Sequence, residues 1–229
     1  MVAAARDNRC LSIAHTYVEP IIFYEYMRDV GRLAKGAGIL NTCHSAGYIN
    51  PQPLEELAPL LDAACIDLKA FDAKFYRELV DAELEPVLNT LKTLRRHKVH
   101  VEIVNLIIPQ FNDQPDSLSR MCAWIRDELG PLTPLHFSRF YPLYKMVNHY
   151  PTPVSTLERA RDLAAKDGLK YVYLGNLHGH GAENTYCHKC QKLIIARQGY
   201  RIGDTHLQTG NCAYCGTAIP GIWESPRRA

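Results

Sequence analysis

Four cysteines near the C-terminus have the spacing of a metal site. Cys187-His188-Lys189-Cys190 is followed, after twenty-one residues, by Cys212-Ala213-Tyr214-Cys215. Two C-x2-C pairs joined by a short β-rich segment fold into facing knuckles and present four thiolates, the ligand set that Zn²⁺ takes in structural sites. Gly216 follows the second pair, where a knuckle turn asks for positive φ and a Cβ would clash. With every position filled by protein, such a metal holds a fold and does not catalyse. The alternative, two disulfides, needs an oxidising compartment, and the opening Met-Val-Ala-Ala-Ala-Arg-Asp-Asn-Arg-Cys lacks the basic-then-apolar pattern of a secretory signal. The expectation is a β-rich zinc ribbon over residues 184–229, with Cys187, Cys190, Cys212 and Cys215 as ligands.

A second set of polar residues falls at the ends of apolar, strand-like runs. Glu19-Pro20 closes the first, His44-Ser45-Ala46-Gly47 the second and Asp67-Leu68-Lys69 the third; His136, Ser138 and Arg139 lie on a later run and Asn176 ends the last. A strand-end carboxylate alone is more often a helix cap, and a lone histidine more often a structural residue. Asp67 and Lys69, at i and i+2, are expected on one strand face, where two opposite charges need pairing or a polar ligand. In parallel α/β folds chemistry gathers at the carboxyl ends of strands, so five such ends together read as a site. A metal-dependent hydrolase using His15, His44, His100 and His136 is the weaker alternative, because His100 starts a strand while His44 ends one. His178 and His180 form a further two-histidine pair.

Positioning these groups falls to alternating strands and helices between residues 11 and 176. Strands are expected at Leu11–Tyr17, Ile39–His44, Ala63–Lys69, Val99–Ile108, Leu135–Tyr141 and Tyr171–Leu174. Between them, helices carry apolar stripes such as Phe23, Met27, Val30 and Leu33/Ala34, opened by Pro20 and closed by Gly36 and Gly38. One helical pattern runs through Phe75, Leu79, Val87, Leu91 and Leu94, and others cover Leu118 to Leu129 and Thr156 to Asp167. Such a series predicts an α/β parallel sheet, open or closed into a barrel. Residues 1–178 form this domain, and Gly179 to Asn184 is the expected boundary.

Composition adds few constraints. The 229 residues carry a net charge of +2 and 47% hydrophobic content, which call for neither nucleic acid nor membrane. From Asn184 onward six Lys/Arg face only Asp204 and Glu224, an excess that four zinc-bound thiolates would largely offset. No apolar run approaches the ~20 residues of a membrane span. Cys10, Cys43, Cys65 and Cys122, outside the ribbon, point to a reducing cytoplasm.

Six blocks in this order carry a family likeness: Thr16-Tyr17-Val18-Glu19-Pro20, Ala46-Gly47-Tyr48-Ile49-Asn50, Ile66 to Asp72, Ile108-Pro109-Gln110-Phe111-Asn112-Asp113, His136-Phe137-Ser138-Arg139-Phe140 and Tyr171 to Asn176. Together with Asn184-Thr185-Tyr186-Cys187 and the terminal Gly221-Ile222-Trp223, they resemble a radical S-adenosylmethionine enzyme of the branch related to pyruvate formate-lyase activating enzymes, specifically that of the AmmeMemoRadiSam system. The resemblance implies a partial (β/α)6 barrel that lacks its first strand and binds S-adenosylmethionine across its strand ends. It implies that Glu19 and Pro20 meet the methionine amino group, that Ser45 to Gly47 form the turn after the next strand, and that Asp67 and Lys69 face carboxylate and ribose. It also implies that His136 and Arg139 close over the cofactor, with a partner protein as a candidate substrate.

The family's defining C-x3-C-x2-C, whose thiolates hold a [4Fe–4S] cluster, does not occur in this sequence. The opening residues read as the last turn of a helix whose beginning is missing, so the expectation is an N-terminally truncated form without its cluster. The alternative is a non-catalytic scaffold or binding protein built from the same family, with the ribbon contacting other proteins.

Overall fold

The computed structural model describes residues 1–177 and 181–223. His178, Gly179 and His180, the last two opening the stretch expected as the domain boundary, lie outside the described residues, as do residues 224–229. Six strands form one sheet in the order β1-β2-β3-β4-β5-β6: Ser12–His15, Leu40–Ser45, Ala63–Asp67, His100–Ile107, Leu135–Arg139 and Val172–Gly175. Neighbours pair in parallel, with His15 opposite Cys43, His44 opposite Cys65 and His136 opposite Tyr173. All six expected strands are present, each within the span read from the sequence to within a residue. The chain divides into two units, one taking in Met1–Leu68 with Glu85–Glu102, the other Lys69–Leu84 with Ile103–Gly221.

In the first unit, β1 to β3 alternate between a buried face and a half-exposed one. Ile13, Asn41, Cys43, Ala64 and Ile66 are buried, while Ala14, Thr42, His44 and Cys65 are accessible to differing degrees. Helix α1 (Val2–Asp7) lays Ala5 against Ile13, Ile39 and the α2 (Tyr24–Gly36) residues Val30 and Ala34, which form one apolar cluster. Entry to α2 is fixed by a 3-10 turn, Pro20–Phe23. Pro20 needs no N–H donor at its first position, and the Glu19 carboxylate accepts from Ile21 N. Helix α3 (Pro51–Leu57) follows β2.

The helical pattern from Phe75 to Leu94 is two elements. Helix α4 (Ala73–Phe75), capped by Asp72 Oδ1 on Phe75 N, widens into a π-turn at Tyr76–Val80. Asp81 then takes a left-handed φ of 55°, and α5 (Leu84–Arg96) starts afresh. Helix α6 (Pro115–Trp124) and α7 (Val154–Lys166) cover the second unit's strands with Leu118, Met121, Leu157, Ala160 and Ala164 buried.

The C-terminal ribbon lies within the second unit. Strands β7 (Thr185–Tyr186), β8 (Leu193–Gln198) and β9 (Arg201–Thr205) pair antiparallel, and β9, at the edge, is exposed along its whole length. A hairpin of β10 (Leu207–Gln208) and β11 (Asn211–Cys212) turns through Thr209-Gly210 with both φ positive, the type I′ pattern. Tyr171, at the mouth of β6, is buried in one cluster with Cys187, Ile194, Ile195, Cys212 and Ile219. Among the described residues no helix is long and apolar enough to cross a membrane.

Candidate functional site

At the carboxyl ends of β1 and β2 a closed polar knot forms around Glu19. Its Oε1 accepts from Ser45 Oγ at 2.6 Å and from Ile21 N at 3.2 Å, and its Oε2 accepts from Ala46 N at 2.8 Å. Ser45 Oγ in turn accepts from Gly47 N at 2.9 Å, and Gly47 O accepts from Thr90 Oγ1 at 2.7 Å. A carboxylate offers about four acceptor positions, so three donors leave roughly one for a ligand. Gly47 holds φ at +70°, and a Cβ there would sit 2.8 Å from Ile66 Cγ2. The knot brings Glu19, Ser45 and Gly47 together, with Pro20 buried at the start of its 3-10 turn.

Asp67 pairs with His44, Nε2 to Oδ1 at 3.0 Å. The strand ends at Asp67, and the alternation of buried and half-exposed residues runs on through Leu68, Lys69 and Ala70. The Lys69 backbone is fixed by three contacts: its N–H donates to Tyr76 Oη, and its carbonyl accepts from Asn105 Nδ2 at 3.1 Å and Asn112 Nδ2 at 2.7 Å. Asn112 also braces the end of β4, accepting from Ile108 N and donating to Leu106 O. In the sequence Asn112 stands only within the block Ile108 to Asp113, with no role of its own. An Asn three residues past a strand-ending Pro is the signal that it serves the turn.

In the second unit the ring of His136 stacks on Tyr173, with centroids 4.9 Å apart. Arg139 Nε donates to Thr152 O at 2.8 Å and its Nη1 donates to Tyr141 Oη, while buried Thr152 donates to Ile107 O and accepts from Phe140 N. Arg139 and Thr152 thus clamp the loop after β5. Asn176 Nδ2 donates to Arg139 O.

Among the described residues His15, His44, His100 and His136 form no group that could hold a metal. His15 is buried on the covered face with no partner for Nε2, His44 pairs with Asp67, and His100 pairs with Glu102 at 3.1 Å. Among the described residues only Cys187, Cys190, Cys212 and Cys215 gather as three or more metal-ligating groups, their sulfurs within 4.8 Å of one another. Gly216 takes φ +71° as expected, and Gln191 after the first pair takes +59°. Cys215 Sγ lies 3.3 Å from Thr217 Oγ1, and hydrogen bonding with the Thr217 side chain and backbone lowers the Cys215 pKa to about 6. This set fits a tetrahedral metal.

The remaining cysteines do not fit an iron–sulfur cluster. Cys43 and Cys65 sit on separate strands and Cys122 on α6, and burial pushes each thiol up to about 12; Cys10 is exposed. Between them they supply no loop of three thiolates.

No protein-family model matches the chain. An uncharacterized protein of Methanocaldococcus jannaschii is 44% identical over 221 residues, covering 96% of this chain and 66% of its own length. The pyruvate formate-lyase 1-activating enzyme of Escherichia coli K12 is 26% identical over 167 residues, 68% of each chain. The chain thus spans about two thirds of the length of these relatives. Two crystal structures share the fold. A domain of a pyruvate-formate lyase-activating enzyme from Bacteroides vulgatus has TM-score 0.61 and 14% identity over 72% of this chain and 99% of that one. Streptococcus suis SuiB bound to S-adenosylmethionine has TM-score 0.60 and 13% identity over 82% and 45%.

Proposed function

Homology to pyruvate formate-lyase activating enzymes supports the radical S-adenosylmethionine family, and within it we propose that this chain is the cofactor-binding part of an AmmeMemoRadiSam-type enzyme. The reaction class is reductive cleavage of S-adenosylmethionine to methionine and a 5′-deoxyadenosyl radical, which abstracts hydrogen from a further substrate. The cluster thiolates that chemistry needs are not among the 229 residues. This chain's proposed share is to bind and orient the cofactor.

The observation that carries the reading is the knot at Glu19. Its one spare acceptor position, beside the left-handed turn at Gly47, presents a carboxylate to an ammonium group. Asp67, held by His44, suits a ribose hydroxyl. Lys69, His136 and Arg139 are the proposed partners for carboxylate and adenosine, and the ribbon metal is proposed to be Zn²⁺. The compartment is proposed to be the cytoplasm.

Calorimetric titration with S-adenosylmethionine tests the reading. Weak, measurable binding is expected, and Asp67→Asn should reduce it at least threefold where the surface control Glu128→Ala does not. Equal binding by both variants would remove Asp67 from the site. Anaerobic incubation with dithionite should yield no 5′-deoxyadenosine over repeated turnovers. Sustained turnover by this chain would refute its role as the binding part alone. A non-catalytic scaffold, the second reading, rests on the cysteine set that does not fit a cluster, and predicts no cofactor binding at all.

A further inference from the structure

Two tyrosines at β6 join the ribbon to the sheet, and one of them carries the contact on to His136. Tyr171 precedes β6 and Tyr173 lies within it, two residues on. Tyr171 Oη lies 2.8 Å from Nδ1 of His188, which sits between the first two metal-site cysteines. Tyr173 Oη lies 3.0 Å from Thr185 Oγ1, and the Arg197 guanidinium stands 6.0 Å over the Tyr173 ring. Arg197 also bonds Thr185 Oγ1 and Glu183 O. The same tyrosine ring stacks on His136 with 21° between the planes. Tyr173 is therefore held by the ribbon at its hydroxyl and meets His136 with its ring.

We propose that the metal-loaded ribbon sets the position of His136 through Tyr173, so that occupancy of the four-thiolate site regulates cofactor binding. The regulatory half rests on the reading of His136 as a cofactor contact. Cys187 and Cys212 are themselves members of the buried cluster that seats β8 on Tyr171, so releasing the thiolates loosens that seat. Thr185 is two residues from Cys187 and cannot keep its hydroxyl in place once the first knuckle opens. Tyr173 then loses its anchor, and the His136 ring loses the surface it stacks on. Tyr173 is a positioning residue in this scheme.

The experiment uses the full chain labelled with ¹⁵N-histidine, the His136 ring signal being assigned by its loss in His136→Gln. Removing metal with a chelator should shift that signal, and Zn²⁺ alone should restore it. In Tyr173→Ala the signal should sit at its displaced position with or without metal. Thr185→Val, read with zinc bound, should move it part of the way. A His136 signal that stays put when β7–β9 amides lose exchange protection, or in zinc-loaded Thr185→Val, would overturn the coupling. The Thr185→Val arm decides even where metal removal unfolds more than the ribbon. In parallel, metal removal should weaken S-adenosylmethionine binding about three- to tenfold, the size of one aromatic contact. If His136 responds to metal while zinc-loaded protein binds no cofactor, the coupling stands and the cofactor reading falls. If affinity is the same with and without zinc, the regulatory half falls.

Discussion

Ser45 donates to the Glu19 carboxylate at 2.6 Å and accepts from Gly47 N on its other side, so one hydroxyl joins two loops twenty-six residues apart in sequence. Ser45 is buried, and removing its hydroxyl leaves Gly47 N and one carboxylate oxygen short of a partner. Ser45→Ala should therefore cost about 1–3 kcal/mol. Urea denaturation checks this, and a loss within a few tenths would mean that water replaces the hydroxyl.

Gly47 and Gly36 make a contrasting pair. Gly47→Ala combines a left-handed backbone with a Cβ 2.8 Å from Ile66 Cγ2 and should destabilise by roughly 2 kcal/mol or more. Gly36, at the end of α2, has open space around the same atom, and Gly36→Ala should be stabilising by up to about 1 kcal/mol. Thermal melts of the two variants should move in opposite directions.

Elemental analysis of protein made in zinc-sufficient medium should find one Zn²⁺ per chain. Cys187→Ser should abolish it, since structural zinc contributes about 10–16 kcal/mol to small isolated domains. Hydrogen exchange should then quicken across β7–β9 and reach Tyr171, whose packing is shared with Cys187. Iron in place of zinc would overturn the assignment.

Burial holds the His15 pKa below its ordinary 6.5, and no partner meets Nε2. The unfolded chain takes up a proton at that ordinary value, and the folded chain only at lower pH. Stability should thus be full above about pH 6.5 and decline as pH falls towards the lowered folded value. His15→Asn should flatten this slope in denaturation curves at pH 7.5 and 5.5. An unchanged slope would assign the pH dependence to other groups.

The strands were legible as short apolar runs set between helical patterns, although several span only four or five residues. Val99–Ile108 is the clearest case. The gathering of Cys187, Cys190, Cys212 and Cys215 was legible because their spacing is itself the geometry. The break at Asp81 was not, since apolar residues kept helical spacing on both sides of a left-handed turn. Nor did the sequence reveal that Glu19 serves Ser45 and Ala46, that Asp67 pairs with His44, or that Tyr171 reaches His188. These are contacts between distant segments, fixed by packing and written in no local pattern.

Among the described residues no strand pairs with the outer edge of β9, and every residue from Arg201 to Thr205 is exposed. An open edge is a template for another chain, and here Ile202 at 70% exposure adds an apolar handle. Arg201 and Asp204 stand on that same strand as gatekeepers, since an incoming strand must desolvate both. Neutralising Arg201 and Asp204 together would turn a quiet edge into a seed for edge-to-edge stacking and lower the solubility of this chain at high concentration.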